Sequence, residues 1–338
     1  LKTLLQQQKI FVSKVEDGFQ EDLPDYIATE KESPLVLNEE QVLAVNKISE
    51  SFNPKNFKDK LISFVGSDNE NVLKKIESVK NFQLEEKEVG QGIVAAPDKY
   101  FLVKNIDGFN NNEKYYLRKY YTSSSKFING ETKEFLFYIS DKNFKNKNLD
   151  DFPNIKKHFE PYKNILKKAK IKYGTPDKPY FYLHRERDEK FFEKGPKIIC
   201  GIRVIKPSFY YTEDEYYGSR ALNFIKSDRI DLKYLTGILN SQLVHFWLKN
   251  KGKQLGDLLQ IDKAPLLNIP IYISDNKNQK IIIDLVNRIT EQNKKFKTFD
   301  PILDEEEYKE LKSEIDKTDK EIDEKVYKLY GLTPEEIK

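Results

Sequence analysis

The sequence holds one cysteine, three histidines, one tryptophan and no methionine. A single thiol, Cys200, excludes an internal disulfide framework. Together with the scattered His158, His184 and His245 it cannot supply the ligands of a dedicated structural zinc centre. No run approaches the roughly 18 consecutive apolar residues that a membrane span requires. No basic start leads into a short apolar stretch with a small-residue cleavage site. These absences predict a soluble, cytoplasmic chain with no membrane association. The sequence starts at Leu1 and has no initiator methionine, which predicts a piece of something longer or a processed product. Signatures of covalent and phosphate chemistry are missing as well: there is no Gly-x-Ser-x-Gly elbow and no Gly-x-x-x-x-Gly-Lys loop. Cys200, followed by Gly201 in an apolar run, reads as a packed side chain rather than a nucleophile.

What is present suits a globular protein. A length of 338 residues predicts two lobes. An apolar content of 38%, with 13% aromatics, can build cores, and 33% charged residues must then form a heavily solvated exterior. The net charge of +3 is small, but it is unevenly placed. Over residues 142–172 ten lysines face three acids, a net of +7; over residues 304–338 thirteen acids face seven lysines, a net of −6. A basic middle attached to an acidic end attracts a polyanion at one place and repels it at another. Abundant Lys, Asn, Ile, Phe and Tyr is also what an AT-rich genome encodes anywhere, so charge alone leaves the basic stretch either a binding surface or a solvated face.

Along the chain, residues 1–10 suggest a short helix, residues 33–37 and 61–65 extended pieces, and residues 71–79 a helix striped by Val72, Ile76 and Val79. The pattern then turns to β. A glycine-punctuated turn over residues 90–97 leads into strand-like segments at 99–103, 114–118 and 134–139. A basic amphipathic helix follows over about 154–170, with Ile155, Phe159, Tyr162 and Leu166 on one face and Pro161 expected to kink or split it. Strands are predicted at 197–202 and 208–211. Asp231 can cap a helix striped by Leu232, Leu235, Leu239, Leu243 and Phe246. Two more helices complete the chain, one using Ile282, Val286 and Ile289. The other uses Ile315, Ile322, Val326 and Leu329 and stops at Gly331. No solenoid-period repeat is visible.

An adenine methyltransferase needs a glycine turn for its methionine-derived cofactor and an Asn-Pro-Pro-Tyr type loop to grip a flipped base. The nearest match, residues 53–56 (NPKN), lacks the second proline and the stacking aromatic and reads as an ordinary turn. Methyl transfer is therefore not expected from this chain, and no catalytic residue or metal site of its own is assigned to it. A Mg²⁺-dependent nuclease would hold its metal between carboxylates beside a lysine. Asp177, Asp188 and Lys190 fit those letters, against the alternative of a solvated loop in a chain one-third charged. Binding signals are clearest at Tyr115, Tyr116, Arg118, Lys119, Tyr120 and Tyr121. There, rings able to stack alternate with cations able to pair phosphate, although a strand with one face in a core would account for part of the same pattern.

Six segments carry a resemblance. Residues 235–248 (LTGILNSQLVHFWL) form a leucine-rich helix centred on Leu-Asn-Ser. Residues 88–103 (EVGQGIVAAPDKYFLV), 153–166 (PNIKKHFEPYKNIL), 182–199 (YLHRERDEKFFEKGPKII), 266–271 (LLNIPI) and 322–337 (IDEKVYKLYGLTPEEI) fall around it. In this order they resemble the TaqI-like C-terminal specificity domain, the target-recognition domain of adenine-specific DNA methyltransferases and of fused type IIG restriction-modification enzymes. Together they cover most of residues 75–338. The opening turn departs from the family, which has Thr-Gly where this chain has Ala95 and Ala96, so a glycine's backbone freedom is missing there.

The resemblance implies an α+β fold with a β-rich recognition lobe, packed helices and a helical C-terminal part. The implied domains are a lead-in or linker of uncertain role at 1–75, a DNA target-recognition domain at 76–275 and a helical tail at 276–338. It further implies sequence-specific binding of double-stranded DNA, with methylation performed by a catalytic domain elsewhere in the same polypeptide or complex. That domain would use S-adenosylmethionine, and Mg²⁺ if a nuclease is fused, with no cofactor in this chain. Side-chain chemistry then selects candidates, since Arg or Lys suits guanine and Asn or Gln suits adenine. Gln91, Arg118, Arg185, Arg187 and Gln254 are the base-reading candidates. Lys99, Lys119, Lys156, Lys157, Lys163, Lys167 and Lys253 are the phosphate candidates. The alternatives are the Mg²⁺-dependent nuclease and a protein-interaction subunit that never touches DNA.

Overall fold

The computed structural model describes residues 67–337, so the expected helix at 1–10, the extended pieces at 33–37 and 61–65 and the turn at 53–56 lie outside the described residues. The described residues open with α1 (Ser67–Ser78) and pass through β1 (Val89–Gln91), β2 (Leu102–Val103), α2 (Asn111–Lys114), β3 (Leu117–Tyr121) and β4 (Phe135–Phe137). The short α3 (Asp141–Phe144) leads to the basic helices α4 (Pro153–Phe159) and α5 (Lys163–Lys172). Next come β5 (Lys197–Gly201), β6 (Arg203–Val204), β7 (Phe209–Thr212), β8 (Tyr217–Gly218) and β9 (Leu222–Ile225). Helices α6 (Leu232–Leu239) and α7 (Gln242–Lys251) precede the hairpin of β10 (Lys253–Leu255) and β11 (Leu258–Gln260). The chain closes with α8 (Lys263–Asn268), α9 (Asn276–Phe296) and α10 (Glu305–Leu329). The observed class is the expected α+β fold.

One sheet organises the rest. Its order is β1-β9-β5-β7, antiparallel throughout. Every residue of β5 is buried. Successive side chains of a strand point to opposite faces, so a strand buried on both sides must feed two cores. Ile198 and Cys200 enter a helical core with Leu73, Ile76, Leu235, Ile238, Ile282, Val286, Ile322 and Val326. Ile199 enters a second core with Phe101, Tyr120, Leu136, Phe137, Ile155, Phe159 and Leu166. That second core lies against a sheet ordered β2-β4-β3-β8, in which β8 runs parallel to β3. The stripe predicted for the basic helix is the face that packs there, and a 3-10 turn at Glu160–Tyr162, holding Pro161, divides α4 from α5.

The helix expected to run continuously from Asp231 past Leu243 is instead two. Asp231 caps α6 as expected, its Oδ1 accepting from the backbone N–H groups of Lys233 and Tyr234 at 2.8 and 2.9 Å. Asn240 ends the helix because its amide serves β7: Oδ1 accepts from Phe209 N and Nδ2 donates to Phe209 O, both at 2.8 Å. Ser241 then caps α7. Gly237 sits where a Cβ would come within 2.5 Å of Ile282, so α6 and α9 approach as glycine alone permits. Helix α10 folds back on the same core. Tyr330 is fully buried, its hydroxyl donating to Pro270 O at 2.7 Å and accepting from Tyr272 N at 3.1 Å. Gly331 stops the helix at φ 66°, as its position predicts. Asp323 on α10 accepts from Gln242 N at 2.7 Å, and burial pushes its carboxyl up to about 6.

Candidate nucleic-acid interface

The opening turn, residues 90–97, is clamped between two other segments. On one side Gly92 N donates to Leu222 O at 2.9 Å and Ile93 N to Gly218 O at 2.8 Å. A Cβ on Gly92 would lie 1.9 Å from Ser219 O, so only glycine allows this approach. On the other side Val94 and Arg185 exchange backbone hydrogen bonds of 3.0 and 2.9 Å. The turn that lacks the family's glycine still adopts a left-handed residue there: Ala96 has φ 56°. Asp98 holds it in place, its Oδ1 accepting from Ala95 N and Ala96 N at 3.3 and 3.4 Å while its Oδ2 accepts from the Tyr120 hydroxyl.

This clamp gathers three of the five base-reading candidates. Arg187 donates through Nη2 to Gln91 Oε1 at 2.8 Å and through Nε to Gly92 O at 3.2 Å. Gln91 Nε2 in turn donates to Arg220 O at 3.3 Å. Arg185, exposed, projects from the segment paired with Val94. Burial, and then the charge of Arg185, holds the Arg187 guanidinium below its usual pKa. Arg187 itself has φ 67°, and a left-handed conformation costs a non-glycine residue roughly 1–2 kcal/mol. Two such residues, Ala96 and Arg187, therefore lie on neighbouring paired segments. Strain of this kind persists only where the surroundings fix it, and it concentrates where chains contact ligands. Arg220 was not among the sequence-derived candidates. No local motif marks it, and it joins the site through its backbone carbonyl, which accepts from Gln91 Nε2.

The other candidates are distributed differently. Arg118 is half-buried, with Nη1 donating to Tyr115 O at 2.6 Å and its guanidinium over the rings of Tyr115 and Tyr217. Burial works to lower its pKa, but the Tyr217 hydroxyl and the charges of Glu215 and Glu189 outweigh it and the net direction is upward. Of the neighbouring rings, Tyr116, Tyr120 and Tyr121 are buried and Tyr115 is exposed, so the core reading accounts for three of the four. Gln254 Nε2 donates to Lys249 O, and Lys253 Nζ stands 3.5 Å from Asp262. Lys99 is exposed over the Tyr100 ring and Lys119 is exposed on β3. On the basic helices Lys156 pairs with Asp150 at 2.5 Å and Lys163 with Glu160 at 3.1 Å. Lys157 and Lys167 are exposed and have no carboxylate within pairing distance among the described residues. Lys170, two turns beyond Lys163, is buried; its ammonium donates to Tyr182 O, and burial followed by the charge of Lys178 lowers it to about 8.

The nuclease candidates stand in exposed loops. Asp188 caps the 3-10 turn at Glu189–Phe191 and lies 3.3 Å from Lys190 Nζ, while Asp177 follows α5 in a turn. Among the described residues no cluster of three or more His, Cys, Asp or Glu could hold a metal ion. Cys200 is buried, and burial pushes its thiol up to about 12.

A sheet wall thus separates a β-rich lobe from a helical one, and the turn beside it brings Gln91 together with Arg185 and Arg187. Residues 118–271 match the family model of the TaqI-like C-terminal specificity domain. Among curated relatives, it is 28% identical over 230 residues to the type II methyltransferase M.HindII of Haemophilus influenzae, covering 62% of this chain and 43% of that protein. It is 29% identical over 174 residues to the type II methyltransferase M.HincII of Haemophilus influenzae, covering 47% and 34%. The chain thus spans less than half the length of these relatives. Among solved structures it shares a fold with the type IIL restriction-modification enzyme MmeI in complex with DNA, at TM-score 0.54 and 17% identity over 76% of this chain and 35% of that one. No described helix is long and apolar enough to cross a membrane.

Proposed function

We propose that this chain is the part of a cytoplasmic restriction-modification adenine methyltransferase that recognises double-stranded DNA by sequence. It positions the duplex while a catalytic domain, in the same polypeptide or complex, transfers a methyl group from S-adenosylmethionine. The match to a specificity domain supports the class, and one observation carries the mechanism: the clamp that brings Gln91, Arg185 and Arg187 together. Phosphate contacts fix register, whereas base-edge contacts discriminate. Arg187 has two of its five N–H groups committed to Gln91 and Gly92, so its guanidinium is held in a defined orientation with donors left for a base edge. The exposed Lys157 and Lys167 suit phosphate. Arg118, tied to Tyr115 and Tyr217, serves to position the strand it sits on rather than to read.

The test uses methylation as the record of what was read. In the enzyme that contains the catalytic domain, Arg185→Ala and Arg187→Ala are each expected to relax preference at one base position, a bidentate arginine being worth roughly 1–3 kcal/mol of discrimination. Arg118→Ala is expected to lower activity on all sites alike. Unchanged methylation motifs in both Arg185→Ala and Arg187→Ala would remove the clamp from the reading role. Mg²⁺-dependent plasmid cutting by the purified chain, abolished in Asp188→Ala, would favour the nuclease instead.

A further inference from the structure

Among the described residues, one face of the three-stranded antiparallel sheet β10-β11-β6 contributes to neither core. Its register sets Gln254 opposite Leu259 and Leu259 opposite Val204, while Lys253, Gln260 and Arg203 form the adjacent row. Directly paired residues share a face. Leu259 is buried and Val204 packs on the helical core; Gln254 shares their face but stays exposed at the sheet edge, its amide reaching Lys249 O. The outward face carries Lys253, Leu255, Leu258, Gln260, Arg203 and, by alternation one residue past β6, Ile205. All three residues of β10 are exposed; Leu255 is 51% and Ile205 70% accessible. An exposed apolar edge strand invites pairing or aggregation unless something occupies it.

The surroundings are positive. Lys206 and Lys249 are exposed beside this sheet. Burial first, then the charges of Lys206, Lys249 and Lys126, hold the nearby His245 ring below its ordinary pKa. Of the acids, Asp262 is occupied by Gln260 Nε2 at 2.8 Å and by Lys253. Asp257 lies at the hairpin tip, beside Gly256 with its φ of 58°.

We propose that this outward face lies in a groove of duplex DNA, with the cross-strand pair Arg203 and Gln260 toward base edges and Leu255 and Ile205 against sugars and thymine methyl groups. The inference rests on the DNA-recognition function above and assigns it a second contact surface. Lys253 and Arg203 beside the exposed Leu255 and Ile205 complement a polyanion whose grooves display methyl groups and sugars, and the major groove, about 12 Å wide, admits a β-ribbon. Arginine matches guanine and glutamine matches adenine, and the register holds the two side by side.

The buried Cys200 makes a thiol-footprinting test possible, because a cysteine introduced on the surface becomes the reactive one. Leu255→Cys and Ile205→Cys probe the face. Ile302→Cys, at an 84% exposed site between α9 and α10, is the control. Alkylation is followed in the full chain with and without a mixed-sequence duplex at low salt, binding being verified by mobility shift. With nine-tenths of the chain bound, the Leu255→Cys and Ile205→Cys thiols are expected to react about tenfold more slowly while Ile302→Cys is unchanged. Bound duplex that leaves all three rates unaltered overturns this inference alone. Protection that needs no DNA and grows with protein concentration assigns the face to a second copy and overturns it too. Failure to bind any duplex overturns the functional reading together with this one.

Discussion

The basic helices allow a quantitative prediction about DNA affinity. Each lysine that neutralises a phosphate releases condensed counterions and adds about 0.9 to the slope of log affinity against log salt. Four lysines, Lys156, Lys157, Lys163 and Lys167, were marked in the sequence, which would set the loss on their removal at about 3.6. The structure lowers that figure. Lys156 and Lys163 are already paired with Asp150 and Glu160, so a phosphate must compete for them, while Lys157 and Lys167 are exposed and unpaired among the described residues. Lys157→Gln with Lys167→Gln is therefore expected to reduce the slope by about 1.8, and adding Lys156→Gln and Lys163→Gln to reduce it by clearly less than a further 1.8. Between 50 and 200 mM salt a loss of 1.8 corresponds to about twelvefold less weakening than the parent chain suffers. Fluorescence anisotropy of a labelled duplex across a salt series measures it. A double variant whose slope equals that of the parent would show that this face points away from DNA. A quadruple variant losing the full 3.6, in equal steps, would show that the ion pairs do not compete.

Two further predictions concern the clamp that carries Gln91. Glu88, at the foot of β1, is buried; burial alone would raise its carboxyl, but the hydrogen bonds from Arg229, Glu85 N and Ser227 hold it at about 2. Because the folded value lies below the ordinary 4.5, its stabilisation is fully present above pH 4.5 and fades as pH falls toward 2. Glu88→Gln is thus expected to cost about 3 kcal/mol at pH 7 and about half that at pH 3, measured by denaturant unfolding; a cost independent of pH refutes the assignment. Ala96→Gly relieves a left-handed alanine at φ 56° and is expected to stabilise the chain by about 1 kcal/mol. A destabilised Ala96→Gly variant would mean that the Ala96 methyl, itself buried, contributes more through packing than its backbone costs.

The amino-acid order by itself determined the elements whose physics is local. The stripe of Ile155, Phe159 and Leu166 could only be a helix face, Pro161 had to interrupt it, Asp231 had a free side chain to cap α6, and Gly331 could stop α10. The motifs around Leu-Asn-Ser likewise pointed to the specificity domain without any coordinates. What the sequence could not decide is what depends on partners distant along the chain. Asn240 breaks a seemingly continuous helix because Phe209, 31 residues away, offers both backbone groups to its amide. Tyr116, Tyr120 and Tyr121 look like stacking rings until the second core claims them. Gln254 shares its face with Leu259, 5 residues along the hairpin, and its exposed amide reaches back to Lys249 O. Gln91, Arg185, Arg187 and Arg220 are separated by up to 129 residues, and only the pairing of the opening turn with two remote segments makes them neighbours. Hydrophobic period and capping act over one or two turns of chain, so sequence carries them; hydrogen-bond register between strands is fixed by the closure of a sheet, and only the folded chain has it.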